Sequence, residues 1–344
     1  MNRSLKGSRN MTIREQMEQR EKEYLSAYAT LSVNTRGRKR EEAQCDIRPV
    51  FQRDRDRILH CKSFSRLKQK TQVFLLPKGD HYRTRLTHTL EVSQNARTIA
   101  KALRLNEDLA EAISLGHDLG HTPFGHAGER ALNGVCPGGF KHNEQSVRVV
   151  EVLEKDGQGL NLTWEVIDGI RNHKSVGKPA TLEGQIVRLS DKIAYINHDI
   201  DDAIRGGILT EEDIPLRFRE VFGTGMRSRL NTMIHDVIIS SMDQPEIRMS
   251  EEIEEAMRDL RKFMFEHVYQ NPRAKGEETK AIHMIENLYF YYEDHLELLP
   301  EQYRIQMEKG DSAEQVVCDY IAGMTDNYAV KKFEDIFIPE AWKN

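Results

Sequence analysis

The stretch Gly116-His117-Asp118-Leu119-Gly120-His121-Thr122-Pro123-Phe124-Gly125-His126-Ala127-Gly128-Glu129 sets three imidazoles and two carboxylates within fourteen residues. Glycines between them let backbone approach a ligand closely, and no run of exposed charge accounts for them as a solvated face. The adjacent His117-Asp118 pair offers one imidazole and one carboxylate, the mix that suits Mn, Mg, Fe, Ni or Zn. Two ligands do not hold an ion, so the fold has to return other segments to this point. His88, in Arg85-Leu86-Thr87-His88, and Asp191, in Leu189-Ser190-Asp191-Lys192, are the candidates.

The periodicity around these residues is helical. Leu90, Val92, Ala96, Ile99, Ala100 and Leu103 keep helical spacing, so Thr84 to about Leu103 reads as a helix with Arg85 and His88 three apart on one face. Leu109, Ala112, Ile113 and Leu115 form an apolar approach to His117-Asp118, and Gly120 ends or loosens that helix. Thr122 as N-cap with Pro123 at the first helical position opens the next, which places His126 and Glu129 on one face. After the Pro137-Gly138-Gly139 loop, His142 starts a further helix, and Trp164 to His173 is a short one. Thr181 caps a long helix from Leu182 to about Ile204, where Asp191, Tyr195 and Asp199, at steps of four, align beside the apolar Ile193, Ile196 and Ile200 face.

Earlier in the chain, residues 50 to 72 read as helix, and Val73-Phe74-Leu75-Leu76 before Pro77-Lys78-Gly79-Asp80 reads as a short strand, half of a possible hairpin. Helices are expected over Met226 to Met242, Ser250 to Val268, Thr279 to Leu298, Glu314 to Met324 and near Val330 to Phe337. The expected fold class is all-α, divided into an N-terminal arm (1–45, with a helix candidate at Arg14 to Tyr28), a core (46–215) and a helical C-terminal region (216–344).

Bulk properties narrow the function. At 344 residues with 38% hydrophobic and 31% charged residues, the chain can bury a large core and is not disordered overall. A net charge of -5 gives no global attraction to nucleic acid or anionic membrane, so phosphate binding has to come from local clusters, of which Arg36 to Lys70 is one. Cys45, Cys61, Cys136 and Cys318 are far apart without CxxC spacing, and are expected as free thiols in a reducing compartment. No apolar run reaches the length of a membrane span, and Met1-Asn2-Arg3-Ser4-Leu5-Lys6 lacks a secretory core, so a cytoplasmic location is expected.

The order His, then His-Asp, then Asp, each on a helical segment, resembles the HD superfamily of metal-dependent phosphohydrolases. The words Phe51-Gln52-Arg53-Asp54-Arg55-Asp56-Arg57-Ile58-Leu59-His60, Arg66-Leu67-Lys68-Gln69-Lys70-Thr71-Gln72, Gly79-Asp80-His81-Tyr82-Arg83-Thr84-Arg85-Leu86-Thr87-His88 and Phe140-Lys141-His142-Asn143-Glu144-Gln145-Ser146 resemble the bacterial branch of the deoxyguanosine triphosphate triphosphohydrolase family. The resemblance runs in order from about residue 45 to 205 and has no motif beyond about 215. It implies an HD-domain helical core that hydrolyses a deoxynucleoside triphosphate (dNTP) to deoxynucleoside and inorganic triphosphate. His88, His117, Asp118 and Asp191 would hold a divalent metal, His126 would be the general acid with Glu129 orienting it, and His142 would complete that group. His121, Arg85 and Lys192 would meet phosphate; Gln72, Tyr195 and Asp199 would form the deoxyribose pocket. His173, His198 and Asp202 lie near the site in sequence and are left as supporting or structural groups. The family's habit also implies a homo-oligomer, a possible nucleotide effector and possible single-stranded DNA binding. Two other readings stay open: an HD phosphohydrolase for a nucleoside monophosphate or guanosine alarmone, and a nucleotide sensor or single-stranded DNA binder.

Overall fold

The computed structural model describes residues 11–72, 83–270 and 272–340. Among them the helices are α1 Ile13–Tyr24, α2 Val50–Leu59, α3 Lys62–Arg66, α4 Arg85–Ala102, α5 Glu107–Gly116, α6 Gly125–Val135, α7 His142–Arg148, α8 Glu154–Gly157, α9 Trp164–Arg171, α10 Leu182–Arg205, α11 Leu216–Phe222, α12 Gly225–Ser241, α13 Glu251–Met264, α14 Pro272–Asp294, α15 Glu301–Glu308, α16 Ala313–Ala322 and α17 Asp326–Phe337. Only isolated bridges, Arg38 with Thr163 and Thr71 with Thr84, are of β type among the described residues, so the all-α class holds. The strand expected at Val73–Leu76 and its hairpin lie outside the described residues. No helix among those described is long and apolar enough to cross a membrane.

Side-chain caps set many helix starts. Thr84 opens α4 through a capping box with Thr87, Asn106 accepts from Leu109 N at α5, and Thr181 accepts from Gly184 N at α10. Two expected boundaries move. The helix expected over 50–72 breaks after Leu59 and restarts when Cys61 Sγ accepts from Phe64 N. The Thr122-Pro123 start is corrected to Gly125, because Phe124 takes a left-handed φ of 61° and the Thr122 hydroxyl donates to Gly125 O instead of accepting a helix N–H. Beyond α13 the helix continues as one π-helical turn, Phe265–Tyr269.

Apolar side chains gather into two cores. The first holds Phe51, Ile58, Val92, Ile99, Leu109, Ile113, Val187 and Ile193, all fully buried, and extends to α12 and α13 through Val237, Leu260 and Met264. The second joins Leu132 of α6 to Ile285, Leu288, Tyr289, Val316 and Ile321 of α14 and α16. Residues before α2 lie along the first core, held where Thr30 donates to Glu183 and Thr35 to Glu165.

Buried polar contacts join the two cores. Lys70, 2% exposed, donates to His121 O and to Ala322 O; burial, with Arg66 next, lowers its pKa to about 7. Asp326 accepts from Thr71 N and Oγ1 and from Phe124 N. Asp319 accepts from Gln145 and Arg148. Cys136 of the α6 end and Cys318 of α16 form a disulfide, which corrects the expectation of four free thiols; Cys45 and Cys61 are free.

Replacing Lys70 with Met keeps the apolar stem and strips two buried carbonyls of their donor. The variant is expected to lose roughly 2–4 kcal/mol of stability, since an orphaned buried acceptor costs about 1–3 kcal/mol. A urea unfolding curve with the parent's midpoint would contradict this account of the join.

Candidate active site

α5 ends at Gly116, so His117 and Asp118 occupy the turn directly beyond it. That turn lies against α7: Gly120 N donates to Ser146 Oγ at 2.9 Å, and a Cβ on Gly120 would come within 2.1 Å of Ser146 N, so only glycine fits there. His117 is fully buried and its Nδ1–H donates to Ser114 O at 2.6 Å. Its Nε2 is therefore a bare lone pair with no hydrogen-bond partner. It faces Asp118 Oδ1 at 3.4 Å and Asp191 Oδ1 at 3.8 Å, and neither carboxylate can give it a proton. From α4, His88 Nε2 stands 3.0 Å from the same Asp191 oxygen.

The four groups expected as ligands thus come together from α4, the end of α5 and α10. Ligand atoms of His88, His117 and Asp118 lie within 4.8 Å of one another. Burial opposes ionisation of both carboxyls, yet both are held below their ordinary range, Asp118 with the Arg85 guanidinium bonded to it. A buried lone pair aimed at two carboxylates calls for a cation. The donor set, two imidazoles and two carboxylates, fits a divalent metal.

A second cluster stands beside it. Glu129 of α6 reaches His126 Nδ1 at 3.4 Å, and the same oxygen accepts from His142 Nδ1 at 2.8 Å. Its other oxygen accepts from His142 N at 3.1 Å and Lys174 Nζ at 3.5 Å. These bonds from His126 and His142 overcome burial and hold the Glu129 carboxyl far below its usual value. His126 is half exposed, while His142 stacks on His121 with ring centroids 3.9 Å apart. His121 Nε2 lies 3.3 Å from Asp118 Oδ1, which places this ring between the two clusters; burial, then Arg85, pushes its pKa well down.

Both clusters border a cavity of about 330 Å³. Gln72, Arg85, Lys192 and Tyr195 line it. Arg85 is buried, its Nη1 bonded to Asp118 Oδ2 at 2.9 Å and its Nε without a partner. Asp199 sits further back than its helical register suggested. It is 1% exposed, its Oδ2 accepts from the Tyr269 hydroxyl, and burial with Asp202 raises its pKa well above the ordinary value.

Sequence reasoning missed one wall entirely. Glu254, Met257, Arg258 and Arg261 of α13, with Tyr269, come from the region where no motif was found, and Lys174 follows α9. No local signal marks them, because Arg258 and Arg261 occupy an otherwise ordinary amphipathic helix whose meeting with the site is set by packing on the first core. The basic stretch Arg36 to Lys70, in contrast, is mostly paired: Arg38 with Asp54, Arg48 and Arg55 with Asp56, Arg53 and Arg57 with Glu42, and Arg36 lies over the Trp164 ring.

Comparison with known proteins identifies the family. Residues 85–196 match the HD domain model and residues 247–335 match the phosphohydrolase-associated domain. A deoxyguanosinetriphosphate triphosphohydrolase-like protein of Caldanaerobacter subterraneus subsp. tengcongensis is 59% identical over 96% of this chain and 98% of its own. One from Clostridium perfringens is 51% identical over 96% of this chain and 99% of its own. Among solved structures, a phosphohydrolase from Bacteroides thetaiotaomicron shares the fold with a TM-score of 0.52 at 17% identity, covering 82% of this chain and 68% of that one. With a helical HD core and such relatives over nearly its whole length, the chain belongs to the deoxyguanosinetriphosphate triphosphohydrolase-like family of HD-domain hydrolases.

Proposed function

We propose that the protein hydrolyses deoxynucleoside triphosphates to deoxynucleoside and inorganic triphosphate with a divalent metal. The observation that carries this reading is the juxtaposition of buried His88, His117 and Asp118 and part-buried Asp191 with the His126, Glu129 and His142 group on one cation-lined cavity. A metal held by those four residues would lower the pKa of bound water and neutralise charge on the phosphoryl group. The protein's own groups supply the rest. Arg85, fixed on Asp118 by one nitrogen, presents its remaining donors to phosphate, and Lys192, Arg258, Arg261 and Lys174 surround the space for the distal phosphates.

Departure of the 5′-oxygen needs a proton. His126 turns Nδ1 toward Glu129, which leaves Nε2 free for the leaving oxygen, and the shared Glu129 oxygen fixes the orientation of His126 against buried His142. Tyr195 offers a ring to the sugar, and Gln72 Nε2, buried without a partner, offers a donor. This second cluster favours a triphosphate over a monophosphate, whose hydrolysis would not need it. The metal-loaded protein should be incubated with each dNTP, alone and in pairs, and the products resolved. Inorganic triphosphate with free deoxynucleoside supports the proposal; orthophosphate or pyrophosphate as the only inorganic product overturns it. Stimulation of one dNTP by another would reveal a nucleotide effector.

His126→Ala is expected to lower kcat by roughly 10²–10⁴-fold, the usual worth of a general acid, with little change in thermal midpoint because the side chain is half exposed. An unaltered kcat removes it from the mechanism. Glu129 gives a pH test. Its folded pKa lies below the ordinary 4.5, so the stability it adds is complete above that value and disappears as the pH falls through the folded one. Urea titrations should therefore show Glu129→Gln less stable than the parent near neutrality, with the gap closing below about pH 4.5.

A further inference from the structure

The two histidines of the proposed metal site have their rings fixed by different devices. His117 gives its Nδ1 proton to a backbone carbonyl, Ser114 O. His88 instead turns Nδ1 to Nδ1 of His198, 3.3 Å away, with the two rings edge to face at 83°. His198 is 2% exposed, and its Nε2 contacts Glu91 Oε2 of α4. Glu91 is in turn held by Arg83, which also pairs with Asp201 at 2.7 Å and Asp202 at 3.3 Å.

With a divalent ion on His88 Nε2, proton counting would give this chain a direction. The Glu91 carboxylate can only accept, so His198 carries its proton on Nε2 and leaves Nδ1 bare. Two facing nitrogens at hydrogen-bond distance need one proton between them, and it must then sit on His88 Nδ1. His88 Nε2 is then left as the lone pair, for an ion that would also meet Asp191 Oδ1, 3.0 Å away; without an ion that carboxylate, which only accepts, would take the proton on Nε2. A carboxylate at the far end of such a relay makes the ligating nitrogen a better donor, as outer partners of metal-bound histidines do.

We infer that His198 and Glu91 are positioning residues for the metal, setting the tautomer of His88 and strengthening its Nε2 as a ligand. The inference rests on the reading of His88, His117, Asp118 and Asp191 as the metal site. It assigns a purpose to a buried histidine and a half-exposed glutamate that touch neither the cavity nor the proposed substrate contacts.

The test is Mn²⁺ binding to metal-free protein by titration calorimetry, beside apoprotein melting curves, for the parent, Asp191→Ala, His198→Ala and Glu91→Gln. His198→Ala removes the acceptor; Glu91→Gln keeps the shape but removes the charge. Each is expected to weaken binding about 10-fold or more, the usual effect of losing an outer partner, with the Glu91→Gln apoprotein melting as the parent does. Added imidazole should restore affinity to His198→Ala. Parent-like affinity in both variants overturns the inference, as does a fall in melting temperature with affinity unchanged, which would mark a simple tie between α4 and α10. If His198→Ala does not fold, Glu91→Gln decides alone. A different failure, Asp191→Ala binding as tightly as the parent, would remove the metal site itself.

Discussion

A single buried nitrogen organises this protein. His117 Nε2 has no proton to give and no donor to receive from, and carboxylate oxygens of Asp118 and Asp191 stand opposite it. Such an arrangement is unfavourable in a low-dielectric interior unless positive charge compensates it. The surroundings supply part of that charge through Arg85 on Asp118, and the proposed divalent ion would supply the remainder. Much of the nearby architecture holds these groups in place: the Ser114 carbonyl under His117, the close contact of Gly120 with α7, and the His198 and Glu91 chain behind His88.

The site also lies where the two apolar cores meet. His88, His117, Asp118 and Asp191 are carried by helices of the first core, whereas His126 and Glu129 ride on α6, whose apolar face packs with α14 and α16 in the second. The proposed ion site and proton donor are therefore parts of different packing units. Lys70, Asp326 and Asp319 fix their separation with hydrogen bonds that are directional, where apolar contact alone would tolerate sliding. His142, on α7 between them, touches both clusters through His121 and Glu129.

Much of this was legible in the chain because the signals are local. Thr84 and Thr181 announce the helices bearing His88 and Asp191, and the three-residue step from His126 to Glu129 places both on one face whatever the rest does. Where the reading failed, distant contacts decided. Thr122-Pro123 looked like a helix start, but the left-handed Phe124, whose N–H is taken by Asp326, delays it. Cys136 and Cys318 pair across 182 residues, a separation that no spacing rule reaches. Arg258 and Arg261 face the cavity only because α13 is docked beside α10, and Asp199 is hidden because Tyr269 arrives from the far end of the same segment.

That arrival depends on the wide turn at Phe265–Tyr269. Relative to an uninterrupted α-helix, one additional residue per turn rotates everything after it by about 100° around the axis. Tyr269 is the last residue of that turn and its hydroxyl meets Asp199, so the phase of one helical turn, set outside the HD segment, determines which group closes the back of the cavity. Relatives that regularise this turn would keep every proposed ligand and acid-base residue and still present a differently shaped chamber.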